Sequence, residues 1–330
     1  MIKYKSILVT GATGSFGKEF IKTLVNSKNK LERLVIFSRD EWKQSEMAKE
    51  FPPSKYPFLR YFLGDVRDYE RLKRAFAKIE LVVHAAALKQ VPAAEYNPIE
   101  FIRTNIIGAQ NIIEASIEQN VKKVIALSTD KATAPLNLYG ATKLCSEKLF
   151  IAANNYSGRN IFSVCRYGNV MGTRGSVIPL FLEQGKKGTI DITDKTMTRF
   201  NITLKESINL VLYAIENSLG REIFIPKIPS YRILDLAKAI NDKCKINIIG
   251  IRPGEKIHEE MITLNDSFNV IENSNYYINL PSLNSKNIKK YLKFYKAKQI
   301  VKPFSYNSKD NKVFLSVNEI KKLIQENISL

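Results

Sequence analysis

Short apolar runs alternate with stretches of helical periodicity through the first half of the chain. The runs fall at 6–10, 33–38, 58–63, 81–86, 123–128 and 161–165, and their length and β-branched content predict strands. The stretches between them place apolar residues on one helical face, most clearly at 95–119 and 138–154, and predict helices. Strands that alternate with helices bury both faces of a sheet. The pattern therefore predicts an α/β class fold, a Rossmann-type doubly wound parallel sheet.

The second half is less regular. Residues 172–188 read as a loop that turns into a helix. Thr203-Leu204-Lys205-Glu206 has the spacing of a capping box and predicts a helix over 207–216. Ser316-Val317-Asn318-Glu319 repeats that spacing, with Leu315 and Ile320 as a hydrophobic staple, and predicts a helix over 317–326. Residues 286–312 are basic and polar and suit either an exposed connector or a covering arm. Two units are expected. Residues 1–170 form a dinucleotide-binding Rossmann domain, completed by 200–230. Residues 171–199 and 231–330 form a smaller C-terminal substrate-binding region.

Composition narrows the classes. The 330 residues are 45% hydrophobic, enough for a sizeable core. The formal net charge of +19 comes from lysines scattered along the chain, and no nucleic-acid module accompanies them, so no nucleic-acid partner is expected. Cys145, Cys165 and Cys244 are far apart, as are His84 and His258, which predicts neither a disulfide framework nor a metal site. The apolar run near the start stops at Gly11, too short for a signal-peptide core, and no run reaches membrane-spanning length. A cytoplasmic location without membrane insertion is expected.

Candidate chemistry begins at Thr10-Gly11-Ala12-Thr13-Gly14-Ser15-Phe16-Gly17, at the first strand–helix junction. Glycines there let the backbone approach a pyrophosphate, and the helix N-terminus offers free N–H groups. The Gly-Lys pair is misplaced for a Walker loop. The second strand ends Phe37-Ser38-Arg39-Asp40, and its hydroxyl and guanidinium suit a 2′-phosphate, with Lys43 adding charge. This favours NADP, although Asp40 stands one position beyond the place of an NAD-type acid. Asp65 and Val66 suit the adenine edge, and Ala85, Ala86 and Ala87 leave room for a nicotinamide ribose. At the fifth strand end stand Ser128, Thr129, Asp130 and Lys131, followed by Tyr139 and Lys143 four apart on one helical face. A phenol titrates at about pH 10, and positive charge from Lys143 and from an oxidised nicotinamide favours the phenolate, which would make Tyr139 a base toward a substrate hydroxyl.

With Asn105, these residues resemble the extended short-chain dehydrogenases, whose second half holds a nucleotide sugar. The resemblance narrows at Ser38–Glu41, Gly64–Asp68, His84–Lys89, Leu127–Ala132, Asn137–Lys143, Arg166–Asn169 and Arg252–Lys256, which are similar to the inverting UDP-N-acetylglucosamine 4,6-dehydratases. Gln90 departs from that pattern, which has His. The resemblance implies a homo-oligomer that acts on UDP-N-acetylglucosamine at the start of pseudaminic acid synthesis. It implies that Lys131, with a pKa lowered by burial or by a neighbouring cation such as Lys143, removes the carbon 5 proton, while a protonated Asp130 helps the carbon 6 hydroxyl leave. It further implies cofactor contacts at Val170 and substrate contacts at Lys89, Asn169, Arg174, Gly175, Ser176, Thr193, Arg199, Arg252 and Glu255. A 4-epimerase would share Tyr139 and Lys143 but have no use for Asp130-Lys131. A non-catalytic NADP-binding regulator would need none of the four.

Overall fold

The computed structural model describes residues 2–28, 30–173, 175–281 and 288–328. The apolar runs form strands β1 (Ser6–Thr10), β2 (Arg33–Ser38), β3 (Leu59–Leu63), β4 (Leu81–His84), β5 (Lys123–Thr129) and β6 (Ile161–Tyr167). They lie in the order β3-β2-β1-β4-β5-β6, all parallel, with Val9 of β1 set between Ile36 of β2 and Val83 of β4. Ile223–Pro226 continues the parallel set beyond β6, and Tyr276–Asn279, Val270–Glu272 and Lys298–Gln299 complete a ten-stranded sheet as an antiparallel edge. The order of strand addition reverses between β1 and β4, where an open α/β sheet leaves a crevice at the strands' carboxyl ends.

The flanking helices start where the sequence supplies caps. Helix α1 (Ser15–Val25) opens from Gly14 without a side-chain cap. Helices α2 (Glu41–Glu50) and α3 (Tyr69–Phe76) are capped by the carboxylates of Asp40 and Asp68. Both capping boxes form, at Leu204–Asn217 and Val317–Asn327.

The long helix expected at 95–119 is instead broken. Val91–Tyr96 and Pro98–Phe101 are separate short helices, a π-helical turn spans Ile102–Ile107, and Gly108–Glu118 follows. Pro98 has no N–H to continue the first helix. The wide turn buries Asn105, whose amide bonds both backbone groups of Leu88 at 2.9 Å and the Thr142 hydroxyl at 3.0 Å. Asn105, expected at the cofactor, thus ties the loop after β4 to the helix Leu138–Ala153.

A second, smaller core gathers Met171, Ile178, Phe181, Ile190, Ile192 and Met197 with Tyr231, Leu236, Ile320 and Ile324. Leu315 and Val317 pack against it. Ile328 rests on Gly172, where an added Cβ would meet its side chain at 3.0 Å. The stretch 231–330 serves both cores. Met261, Ile262, Tyr295 and Tyr306 belong to the large one. Tyr295 reaches the buried Glu222 carboxylate at 2.8 Å, so the described part of the basic segment is a covering arm, not a free connector.

Candidate active site

The crevice opens into a cleft of about 590 Å³, and residues from both cores line it. On one wall stands the β1–α1 turn. Gly11 has φ +63°, and a Cβ there would lie 2.8 Å from the Ala85 carbonyl and the Ala86 nitrogen. At Gly17 a Cβ would lie 2.5 Å from Ala12 Cα and the Gly11 oxygen. Only glycine lets these backbones touch, and Gly14 then starts α1 with its N–H groups toward the cleft. Such a cradle fits the diphosphate of a dinucleotide. Gly14, Ser15, Phe16, Ala85, Ala87 and Val170 line the same space.

Thr10 and Ala86 sit behind this wall. The Thr10 hydroxyl bonds His84 Nδ1 at 2.8 Å and accepts from the Ala86 N–H at 3.3 Å. Burial, and then the Lys143 charge, hold the His84 imidazole down at about 3, so it is neutral. Thr13 bonds the Ser38 hydroxyl at 2.8 Å. Beside it, Asp40 is occupied: its carboxylate accepts from the Lys43 N–H at 2.9 Å and pairs with the Lys43 ammonium. Arg39 is largely exposed, 3.8 Å from Asp65, which itself pairs with Arg67 at 2.8 Å. Val66 is buried and would collide with any Cβ at Gly108.

The floor is the end of β5. Ser128 and Thr129 lead into a single helical turn, Asp130–Ala132, and Tyr139 and Lys143 follow on the helix Leu138–Ala153. All six of Ser128, Thr129, Asp130, Lys131, Tyr139 and Lys143 face the cleft. Lys143 donates to the Leu127 carbonyl at 2.8 Å, and burial lowers its ammonium to about 8. Burial pushes the Tyr139 phenol up to about 12, and the pull of Lys131 and of the Thr129 hydroxyl only partly offsets it.

Lys131 departs from expectation. Burial disfavours its charge, but the Asp130 and Glu259 carboxylates at 3.2 and 3.0 Å outweigh burial and raise its pKa, so it is an ammonium here. The burial expected to lower it is present, and Arg199 adds to it, but the two carboxylates outweigh both. Burial holds the Asp130 carboxyl above the usual range despite the Lys131 charge. Glu259, which the sequence reading passed over, comes from the segment after the Arg252–Lys256 loop and is 2% exposed. The available signal was an acidic pair, Glu259-Glu260, directly before the apolar Met261-Ile262.

Asn169, Gly175, Ser176, Thr193 and Arg199 come from the stretch after β6, with Arg252 and Glu255 from the loop beyond; all line the cleft with Lys89. Arg174 lies outside the described residues. Ser176 opens the helix Val177–Lys186 without capping it. Buried oxygens of Ser128, Asp130, Asn169, Ser176 and Glu259 have no hydrogen-bond partner, an arrangement that calls for a polar ligand. Arg252 pairs with Glu255 at 2.9 Å, and Arg199 lies 3.5 Å from Glu255 and 3.7 Å from Glu259. Desolvation lowers the Lys89 ammonium, with help from Lys131. Among the described residues no cluster could hold a metal ion, and no helix is long and apolar enough to cross a membrane.

The family model described as polysaccharide biosynthesis protein matches residues 7–281. The chain is 50% identical, over 98% of each chain, to UDP-N-acetylglucosamine 4,6-dehydratase (inverting) of Campylobacter jejuni subsp. jejuni serotype O:2. It is 44% identical to the UDP-glucose 4-epimerase of Rickettsia canadensis, over 83% of this chain and 82% of that one. Its structure is similar to the X-ray structure of Pen from Bacillus thuringiensis, with a TM-score of 0.89 and 37% identity over 99% and 98% of the two chains.

Proposed function

The chain belongs to the polysaccharide biosynthesis protein family, and from that membership we propose that it is an inverting UDP-N-acetylglucosamine 4,6-dehydratase that works with NADP. The observation that carries this reading is Asp130-Lys131 beside Tyr139 in one cleft with the glycine cradle. An epimerase needs the tyrosine and the cradle but has no work for a buried acid and an amine.

The Gly11–Gly17 turn would hold the dinucleotide's diphosphate, and Ser38 and Arg39 its 2′-phosphate. The engagement of Asp40 in the α2 cap supports NADP over NAD, because its carboxylate is not free for a ribose diol. The nicotinamide supplies a hydride acceptor for carbon 4 and a hydride donor for carbon 6, with no net redox change. Tyr139 accepts the carbon 4 hydroxyl proton once a cation beside it stabilises the phenolate. The resulting ketone acidifies the carbon 5 proton. Lys131, having passed its own proton to Asp130, takes it, and Asp130 gives the proton it received to the departing carbon 6 hydroxyl. Reprotonation of carbon 5 from the opposite face gives UDP-2-acetamido-2,6-dideoxy-β-L-arabino-hex-4-ulose. Ser176, Asn169 and Lys89 suit the diphosphate and sugar, and Arg199 and Arg252 the uridine diphosphate. The product suits pseudaminic acid synthesis by a cytoplasmic homo-oligomer.

Proton NMR of the protein with UDP-N-acetylglucosamine in deuterated water tests this. A new carbon 6 methyl signal with deuterium at carbon 5 is expected. UDP-N-acetylgalactosamine without a methyl signal would make the chain a 4-epimerase, the reading its Rickettsia relative favours.

A further inference from the structure

We propose that Glu259 is a positioning residue of this site: it is the fixed counter-ion of Lys131, and by holding that role it leaves Asp130 as the carboxyl that carries a proton. The inference rests on the dehydratase reading and extends it to a residue to which that reading gives no role.

The geometry sets two buried carboxylates around one amine. Asp130 is fully buried; its Oδ1 accepts from the Thr129 hydroxyl at 2.9 Å and from Lys131 at 3.2 Å, and its Oδ2 has no partner. Glu259 is almost as deeply buried, with Oε1 3.0 Å from Lys131 and Oε2 without a partner. Its backbone is clamped on both sides by Ser308: the Glu259 N–H donates to Ser308 Oγ at 2.9 Å, and the Ser308 N–H donates to the Glu259 carbonyl at 2.7 Å. Ser308 is itself bonded to the Thr198 hydroxyl at 2.7 Å. These bonds fix the backbone from which the Glu259 carboxylate reaches Lys131.

Two carboxylates share this buried site with the Lys131 ammonium and with the Arg199 guanidinium, 3.7 Å from Glu259. A proton that the amine gives up goes to the less supported carboxylate. The surroundings decide which site that is. Lys131, Arg199 and Lys256 face Glu259 from three segments, and together they overcome its burial and lower its pKa. Asp130 has Lys131 at 3.2 Å and also feels Arg166 and Lys256, but burial first and then the Glu259 charge keep its pKa raised. Tyr139 and Tyr231 also feel the Glu259 charge, and both are raised to about 12, first by burial. His258 points away, toward Thr198. Paired titratable groups whose surroundings push them apart divide into acid and counter-ion. Here the pair divides so that Asp130 can donate to a leaving hydroxyl while Glu259 steadies the amine.

The test is the pH profile of kcat for the holoenzyme and its Glu259→Gln and Glu259→Asp variants with UDP-N-acetylglucosamine. Removing the Glu259 charge lowers the titration of Lys131 and of Asp130 alike. In E259Q both limbs of the bell should therefore move to lower pH by at least about one unit, a modest share of what one charge about 4 Å away exerts at an effective dielectric near 20. E259D keeps the charge and should keep the wild-type limbs. Limbs unmoved in E259Q, with only a lower rate, overturn the inference, as do limbs that move equally in E259D. Should E259Q fail to fold, carbon-13 NMR of the wild-type holoenzyme with labelled Asp and Glu carboxyls decides: Asp130 titrates at higher pH than Glu259, and the reverse order overturns the proposal. Absence of any dehydration by the wild type fails the parent reading instead, and leaves the carboxyl titration to judge this one.

Discussion

The two walls of the cleft are built from different materials. The cofactor wall is backbone and neutral side chains: a glycine turn pressed against Ala85, a Thr10–His84 pair, and a Thr13–Ser38 pair. The substrate wall is charge: Lys131 between Asp130 and Glu259, and Arg199 and Arg252 on Glu255. The first wall is finished before any ligand arrives, because its shape is set by how closely two strands' ends can approach. The second satisfies itself with internal ion pairs that a ligand must replace. A preformed cradle suits a cofactor that stays bound through a closed redox cycle, and exchangeable pairs suit a substrate that enters and leaves.

Substitutions that separate the two walls test this contrast, and the largest effect belongs to the charged one. Lys131→Ala should cut turnover by about 10³-fold while the cofactor stays bound, as read by NMR of the methyl product and by absorbance of the released dinucleotide. Loss of cofactor along with turnover would mean that the walls are not independent. The neutral wall has its own weakness in acid. His84 is held at about 3 against an ordinary value of 6.5, so the unfolded chain binds a proton that the folded one refuses. Stability from this group is complete above pH 6.5 and falls as pH drops from there toward 3, by on the order of a few kcal/mol. Thermal melts at descending pH should show a shallower loss in His84→Asn than in the wild type.

A smaller effect is expected at Gly17→Ala, whose Cβ has nowhere to go: about 1–3 kcal/mol of stability, seen as a lower Tm, together with weaker cofactor retention. Smallest is Arg252→Ala on the charged wall. It should raise KM for the nucleotide sugar roughly 10-fold and leave kcat close to wild type, because a contact that holds ground state and transition state alike changes binding only. A matching fall in kcat would move Arg252 into the chemistry.

The same contrast explains what could be read from residue order. The cofactor wall is local. A strand, a turn and a helix follow one another in sequence, so glycine spacing after an apolar run locates the cradle, and the alternation of strands and helices gives the parallel sheet. The capping boxes at Thr203 and Ser316 are equally local and form where their spacing predicts. The substrate wall joins Lys131 to a carboxylate more than a hundred positions later, and no periodicity announces such a partner. Glu259 stayed hidden for that reason, and the titration of Lys131 was misjudged with it. The broken helix at 91–118 failed differently. Its apolar period is continuous, and Pro98 together with the tertiary engagement of Asn105 overrode it.

Ile328 on Gly172 carries a consequence for how the molecule comes into being. All seven parallel strands of the large sheet are complete once residue 226 has been synthesised, so the dinucleotide half can assemble while later residues are still being made. The loop that leads to Ser176 has no such head start. Its bracing helix, Val317–Asn327, and the isoleucine after it leave the ribosome long after Gly172 does. The order of the chain thus sets the order in which the two halves of the site gain their supports, and the last brace of the substrate side arrives with the final turn of helix.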